Sequence, residues 1–269
     1  MISICPTNTR IVKITHLKWN LHWDLQFPEI IVSQNGVSLM WQSIFPEWIQ
    51  ISDKSWYYEW QTTNKYINEQ NLNPQQDFSG NIIRHNFVLG LALKAEIEAF
   101  ESEIALSLTI SNGTTNTFKD VLSDGGCLRA RSSDFMNHEE VKRSFVIKDS
   151  RLISMSELHR TGSLRCLYRS DIKDYDKDWI NPSDWFWGRS NDKIDRPAIV
   201  GAVAGDGSKA IVIGYQSSFS ASQNAEYHCL HSEPSFGDIS PDSAITRKGY
   251  ILFGKDLDIL AEQLRQRIP

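Results

Sequence analysis

Apolar and polar positions alternate with period two over most of the chain. The longest run is Ile104, Leu106, Leu108 and Ile110, interleaved with Ala105, Ser107 and Thr109, the pattern of a strand with one face buried. Just upstream, Leu89, Leu91, Leu93, Ala95 and Ile97 alternate with the opposite parity, and the phase slips across Glu101-Ser102-Glu103. A one-residue slip sends every side chain to the other face. The pattern therefore predicts two long antiparallel strands joined by a turn or bulge at the slip, with a further turn at Asn112-Gly113.

Shorter strands are expected on both sides. Arg10–Leu17 places Val12 and Ile14 on one face. Phe27–Ser33 and Val37–Trp41 flank Asn35-Gly36, a strong hairpin signal. Trp56–Gln61 is rich in aromatics, and Phe118–Leu122 and Cys127–Arg131 flank Ser123-Asp124-Gly125-Gly126. Arg143–Lys148 and Leu152–Ser156 flank Asp149-Ser150; Ala198–Ala204 and Ala210–Tyr215 flank Gly205-Asp206-Gly207-Ser208. Tyr227–His231 and Arg247–Phe253 close the series. One stretch has helical period: from Asp256 onward Leu257, Leu260, Leu264 and Ile268 share a face, which suits a helix capping a sheet face or edge. Thr62–Gly80 and Ser170–Pro197 read as long loops. These features predict an all-β chain, a large antiparallel β-sandwich with a short C-terminal helix, forming a single domain over residues 1–269.

Composition narrows the partners. The net charge of -5 and pI near 5.8 argue against nucleic acid, because no basic stripe is present to contact phosphates. No run of 18 apolar residues predicts a membrane span, and Met1–Asn20 has no continuous apolar core of a secretory signal, so a cytoplasmic location is expected. Cys5, Cys127, Cys166 and Cys229 form no CxxC pair and are expected to be free thiols. No oligomeric state follows from these features. GxSxG, P-loop and Rossmann signatures are absent, and no cofactor is expected.

The densest reactive segment is Asn224–Asp238. On a strand Tyr227–His231, Tyr227, Cys229 and His231 share one face and His228 and Leu230 the other, so the two histidines do not co-ligate a metal from that strand. A break at Ser232-Glu233-Pro234 would bring back Glu233 or Asp238 toward His231. A second segment, Asp171–Arg189, is acidic and aromatic: Asp174, Asp176 and Asp178 alternate like the start of a calcium loop. Trp179 stands where that loop needs glycine and Trp185 where it needs glutamate, which excludes an EF-hand. Trp185 and Trp187, with Arg189 beside them, suit a stacking platform for a sugar. Arg129, Arg131, Lys142 and Arg143 form a third, basic group able to hold a carboxylate or phosphate.

The run Trp185-Phe186-Trp187-Gly188, the Asp206-Gly207 hairpin, Asn224 followed by Cys229-Leu230-His231-Ser232-Glu233-Pro234, and Arg247 followed by Gly249-Tyr250-Ile251-Leu252-Phe253 resemble a group of bacterial β-sandwich proteins with a galactose-mutarotase-like (supersandwich) layout. The resemblance covers roughly residues 85–265 and lies in layout more than in strict motif. It implies a histidine acid and a glutamate base on a concave sheet. His231 matches that histidine by strand position; no glutamate falls at a matching place, and Glu226 and Glu233 lie nearest. The expectation is thus a carbohydrate-active or carbohydrate-binding protein taking a small-molecule or oligosaccharide ligand. Its catalytic candidates are His231, Glu233 and Glu226, and its binding candidates are Trp185, Trp187, Arg189, Arg129, Arg143 and Asp238. Two alternatives stay open: a non-catalytic interaction module, and a metal-dependent enzyme built on His228, His231, Glu233 and Asp238.

Overall fold

Strands whose apolar faces coincide pair, and here the pairings generate two sheets. The computed structural model describes residues 1–33, 46–62, 89–136, 141–160, 165–170 and 188–269, and the backbone alone at 38, 39, 165 and 189. The first half of the chain contributes β1 (Ile2–Pro6), β2 (Ile11–His16), β3 (Leu21–Gln26), β4 (Ile30–Val32), β5 (Ser38–Leu39), β6 (Ile49–Ser52), β7 (Ser55–Gln61), β8 (Leu91–Ala99), β9 (Glu103–Asn112), β10 (Phe118–Asp124) and β11 (Cys127–Ala130). The second half contributes β12 (Ser144–Lys148), β13 (Arg151–Ser154), β14 (Arg165–Ser170), β15 (Gly188–Ile194), β16 (Val200–Val203), β17 (Ala210–Tyr215), β18 (Ser218–Asn224), β19 (Cys229–Ile239), β20 (Ser243–Gly254) and helix α1 (Leu257–Arg267).

A nine-stranded antiparallel sheet runs β13-β12-β16-β17-β20-β9-β8-β7-β6. Its centre is the hairpin read from the phase slip: Ala99 pairs with Ile104 and Ile97 with Leu106, and Phe100 N–H donates to the Glu103 carbonyl at 2.8 Å across the turn. The β12–β13 hairpin turns through Asp149 and Ser150, both at positive φ, as a two-residue turn requires. An eleven-stranded sheet runs β1-β2-β3-β11-β19-β10-β4-β5, with β18 on the other edge of β19, then β14 and β15. Only β14–β15 is parallel among the described pairings. The inner faces of the two sheets share one apolar core, which includes Val12, Ile14 and Leu25 from one sheet and Ile104, Leu108 and Ile213 from the other.

Helix α1 covers part of the outer face of the nine-stranded sheet, over β16, β17 and β20. Asp256 caps it, its carboxylate accepting from Ile259 N–H at 3.0 Å. Leu257, Leu260 and Leu264 pack on Ile147, Ile199, Ala210, Val212 and Leu252 in a second core. Gly201 makes the approach possible: a Cβ there would lie 2.7 Å from Leu257 Cδ1. Among the described residues no helix is long and apolar enough to cross a membrane.

Three expectations are corrected. Tyr227 and His228 lie in a turn at 225–228, and the strand starts only at Cys229. It then runs through Ser232-Glu233-Pro234 without breaking. Proline is tolerated because the β18–β19 register shifts there, between Ser218 and Ser220, leaving no ladder bond for Pro234 to donate. Finally, the expected loop 170–197 contains a strand, β15. The Asn35-Gly36 turn and the loop residues 63–80 and 171–187 lie outside the described residues.

Candidate functional site

The site begins with a broken strand. β10 and β11 do not pair with each other; both lie along one edge of β19, β11 against Cys229 and Leu230 and β10 against Ser235, Gly237 and Ile239. Between them, Asp124-Gly125-Gly126 leaves the edge open beside residues 231–234. Gly125 is required by close approach, since a Cβ there would lie 2.8 Å from both Pro234 Cδ and Tyr215 Cε2. The Tyr215 hydroxyl crosses from the other sheet and donates to the Gly125 carbonyl at 2.8 Å. This fixes Asp124 at the break.

Along β19, Leu230 faces the core, so Cys229, His231 and Glu233 share the opposite, outer face of the large sheet. Rows across the strands extend that face. Ser222 pairs with His231, Ser220 with Glu233 and Asn224 with Cys229, while Arg129 lies opposite Cys229 on the other side. On β14, Leu167 and Arg169 stand opposite Ser222 and Ser220. The face is polar yet closed: Ser220 and Ser222 are fully buried, and His231 is 1% exposed.

At its centre, His231 Nδ1 lies 2.6 Å from Asp124 Oδ2 and 3.3 Å from Glu29 Oε2, so Nδ1 carries the proton. His231 Nε2 faces the Cys229 sulfur at 3.1 Å. Glu29 reaches the cluster because its N–H donates to the Asp124 carbonyl at 3.1 Å, and the buried Arg10 donates to the Pro28 and Glu29 carbonyls at 2.6 and 3.0 Å. Glu233 accepts from Ser222 Oγ at 3.0 Å and, through its other oxygen, from Ser220 Oγ. The side chains of Glu29 and Asp124 keep exposures of 19% and 12%, while Glu29 Oε2, the oxygen facing His231, is buried.

Burial and mutual charge set the protonation. Burial, with the Glu29 charge added, pushes Asp124 up to about 6 against the pull of His231. Burial and then the Asp124 charge push Glu233 up to about 7. For Glu29 burial is again the largest influence, but the hydrogen bond and charge of His231 outweigh it and hold the group below its ordinary value. Burial opposes a charge on His231, yet Asp124 keeps it protonated well above the usual histidine range. A hydrogen bond to Cys229, followed by burial, raises the Cys127 thiol well above its usual range.

The structure thus brings together His231 and Glu233 from the sequence candidates. Arg129 stands on the same face, with its guanidinium 5.2 Å from the centre of the Tyr227 ring. The backbone of Arg189 lies opposite Leu167, in the row of His231. Glu226 is exposed in the 225–228 turn. Arg143 donates to the Asp134 carbonyl at 2.6 Å and to that of Met136, away from His231. Asp238 pairs with Lys119 at 2.5 Å, seven residues along β19 from His231, a strand distance of roughly 20 Å. His228 and Leu230 line a small cavity between the sheets with Trp23 and Leu128, so His228, His231, Glu233 and Asp238 do not converge. Trp185 and Trp187 lie outside the described residues.

The sequence candidates omitted Glu29, Asp124, Cys127, Ser220 and Ser222. Asp124 sat in a segment legible as a turn, but a turn signal does not say that both flanking strands share one neighbour. Glu29 follows Pro28 with no pattern that marks it. All four cysteines are free of disulfides.

No protein-family model matches the chain, and no curated protein matches it. Solved structures do. An alpha-mannosidase from Enterococcus faecalis is similar with TM-score 0.51 and 12% identity over 100% of this chain, which spans only 30% of the mannosidase chain. A galactose mutarotase related enzyme from Lactobacillus acidophilus is similar with TM-score 0.47 and 9% identity, covering 94% of this chain and 97% of that one. A galactose mutarotase-like protein from Lactobacillus casei has TM-score 0.46 and 7% identity, covering 94% and 100%. At 12% identity the likeness to the mannosidase is one of fold, and the fold is the large antiparallel β-sandwich with a short C-terminal helix that the sequence predicts.

Proposed function

We propose that this is a carbohydrate-active protein that performs acid–base chemistry, epimerisation or β-elimination, on a sugar held against the outer face of the eleven-stranded sheet. The observation that carries this is the convergence of Glu29, Asp124 and Glu233 on His231, from three separate strands or strand ends, on one polar face of the sheet. Both reactions need a positioned acid and base and nothing more. Glu233 is assigned the proton transfer. His231 is assigned to hold charge and position, because Asp124 occupies Nδ1 and Cys229 faces Nε2. Arg129 and the Trp185–Arg189 segment are assigned to ligand binding. The mannosidase that shares the fold supports a sugar as ligand. A single domain and a reducing, cytoplasmic setting with four free thiols complete the proposal.

A non-catalytic sugar-binding module is the second reading. It is favoured by Glu233, both of whose oxygens accept hydrogen bonds from serines and so are already engaged. The two separate by experiment. Anomer interconversion of freshly dissolved aldoses, followed by NMR, and unsaturated product formation from uronic-acid polysaccharides, followed by absorbance, should reveal turnover that Glu233→Gln lowers by about 100- to 10,000-fold. Calorimetric sugar binding without turnover would select the module. Neither binding nor turnover across such a panel would end the sugar assignment.

A further inference from the structure

The acid–base reading gives no role to the two thiols in the cluster. We propose that Cys127, Cys229 and His231 bind a soft divalent metal ion of the zinc class, with the fourth position left to solvent or ligand. Metal binding at Nε2 needs the neutral ring, so the proposal replaces the charge-holding role given to His231 above, and it is tested without any sugar present.

The sheet register builds the site. Leu128 pairs with Leu230 and Arg129 with Cys229, which sets Cys127 directly opposite His231. Cys229 lies two residues before His231 on the same face of β19. Three side chains at the corners of one small triangle therefore point the same way. Their donor atoms, Cys127 Sγ, Cys229 Sγ and a ring nitrogen of His231, all lie within 4.8 Å of one another. Bonds of roughly 2.0 Å to nitrogen and 2.3 Å to sulfur place the donors of a tetrahedral ion about 3.5–3.8 Å apart. Small side-chain rotations suffice to close the set.

The second layer is also in place. Metal-binding histidines commonly anchor their other ring nitrogen on a carboxylate, which fixes the ring and strengthens the ligand. Here Asp124 holds Nδ1 at 2.6 Å and leaves Nε2 turned to the sulfur of Cys229. Two thiols and an imidazole form a soft set that selects zinc over magnesium or calcium. Cys127 is half-buried, and the side chains of Glu29 and Asp124 keep 19% and 12% exposure.

A rival set uses Glu29, Asp124 and the same histidine, whose donors also lie within 4.8 Å. The 2.6 Å contact between Asp124 and Nδ1 disfavours it, since the proton there occupies the lone pair a metal would need. The test uses the full chain, purified under a non-thiol reductant, stripped of metal and titrated with zinc and with cobalt(II). The expected result is one zinc per chain, a tetrahedral cobalt spectrum and a sulfur-to-cobalt charge-transfer band. Cys127→Ser and Cys229→Ser should each weaken zinc binding at least about 10-fold, and Asp124→Asn should weaken it about 10- to 100-fold while retaining the charge-transfer band. Failure to hold stoichiometric zinc overturns the proposal. So does bound cobalt without the sulfur band, which would place the ion on the carboxylates. The spectrum of the unaltered protein decides even if a cysteine variant does not fold.

Discussion

Part of each outer face of this sandwich is removed from water, and by opposite chemistry. On the nine-stranded sheet that part is apolar, with Ile147, Ile199, Ala210, Val212 and Leu252 sealed by α1. On the eleven-stranded sheet it carries Ser220, Ser222, His231 and Glu233, with Asp124 and Glu29 against them. Burying the first face stabilises by about 25 cal/mol for each Å² of apolar surface. Burying the second sets desolvation of charged groups against their mutual attraction, and such networks rarely gain over an apolar core of the same volume. A fold that already has two apolar cores does not need the polar face for stability. Three carboxyl groups, a histidine and two thiols meeting at one point are what the proposed site is built on.

That contrast can be broken by substitution. The largest effect is expected from Leu264→Ala, which empties the fully buried centre of the helix seal and should cost about 2–5 kcal/mol in denaturant unfolding. Ligand and metal binding at the polar face should be unchanged in the protein that remains folded. A binding loss matching the stability loss would show that the two faces are coupled rather than separate in purpose.

A smaller effect is expected from Ser222→Ala, which removes the 3.0 Å bond to Glu233 and should cost about 1–3 kcal/mol. Its greater consequence should be on sugar binding or turnover, because Glu233 loses a group that orients it. A stability loss as large as that of Leu264→Ala, with function intact, would recast the polar face as a structural network. The smallest effect is expected from Asp256→Ala, which deletes the helix N-cap; calorimetry should read a loss of about 1 kcal/mol and no change at the polar face.

The same contrast explains which parts were legible in the chain. The β8–β9 hairpin and α1 were readable residue by residue, because each buries one apolar face and leaves the other polar. β18 escaped notice although all seven of its residues, Ser218 to Asn224, are buried. Its outward side chains are Ser220, Ser222 and Asn224, so a buried strand carries the polarity of a loop. The segment Ser232-Glu233-Pro234 misled in a related way. Proline signals a chain break unless a register shift in the neighbouring strand removes the need for its N–H, and such a shift is a property of pairing, not of sequence.

By itself the sequence determined the class of the fold. Period-two burial, short turns and one amphipathic helix are local features, each set by whether a side chain prefers water or the core. It also placed Cys229 and His231 on one strand face, since strand geometry sets alternate residues on the same side. Only the tertiary structure decided what surrounds them. Asp124 lies 107 residues from His231, and their 2.6 Å contact exists because β10 ends and β11 begins along one edge of β19. Glu29, Cys127 and Ser222 arrive by the same means. Local propensity has no term for contacts across such separations; they are fixed by which strands become neighbours and in what register.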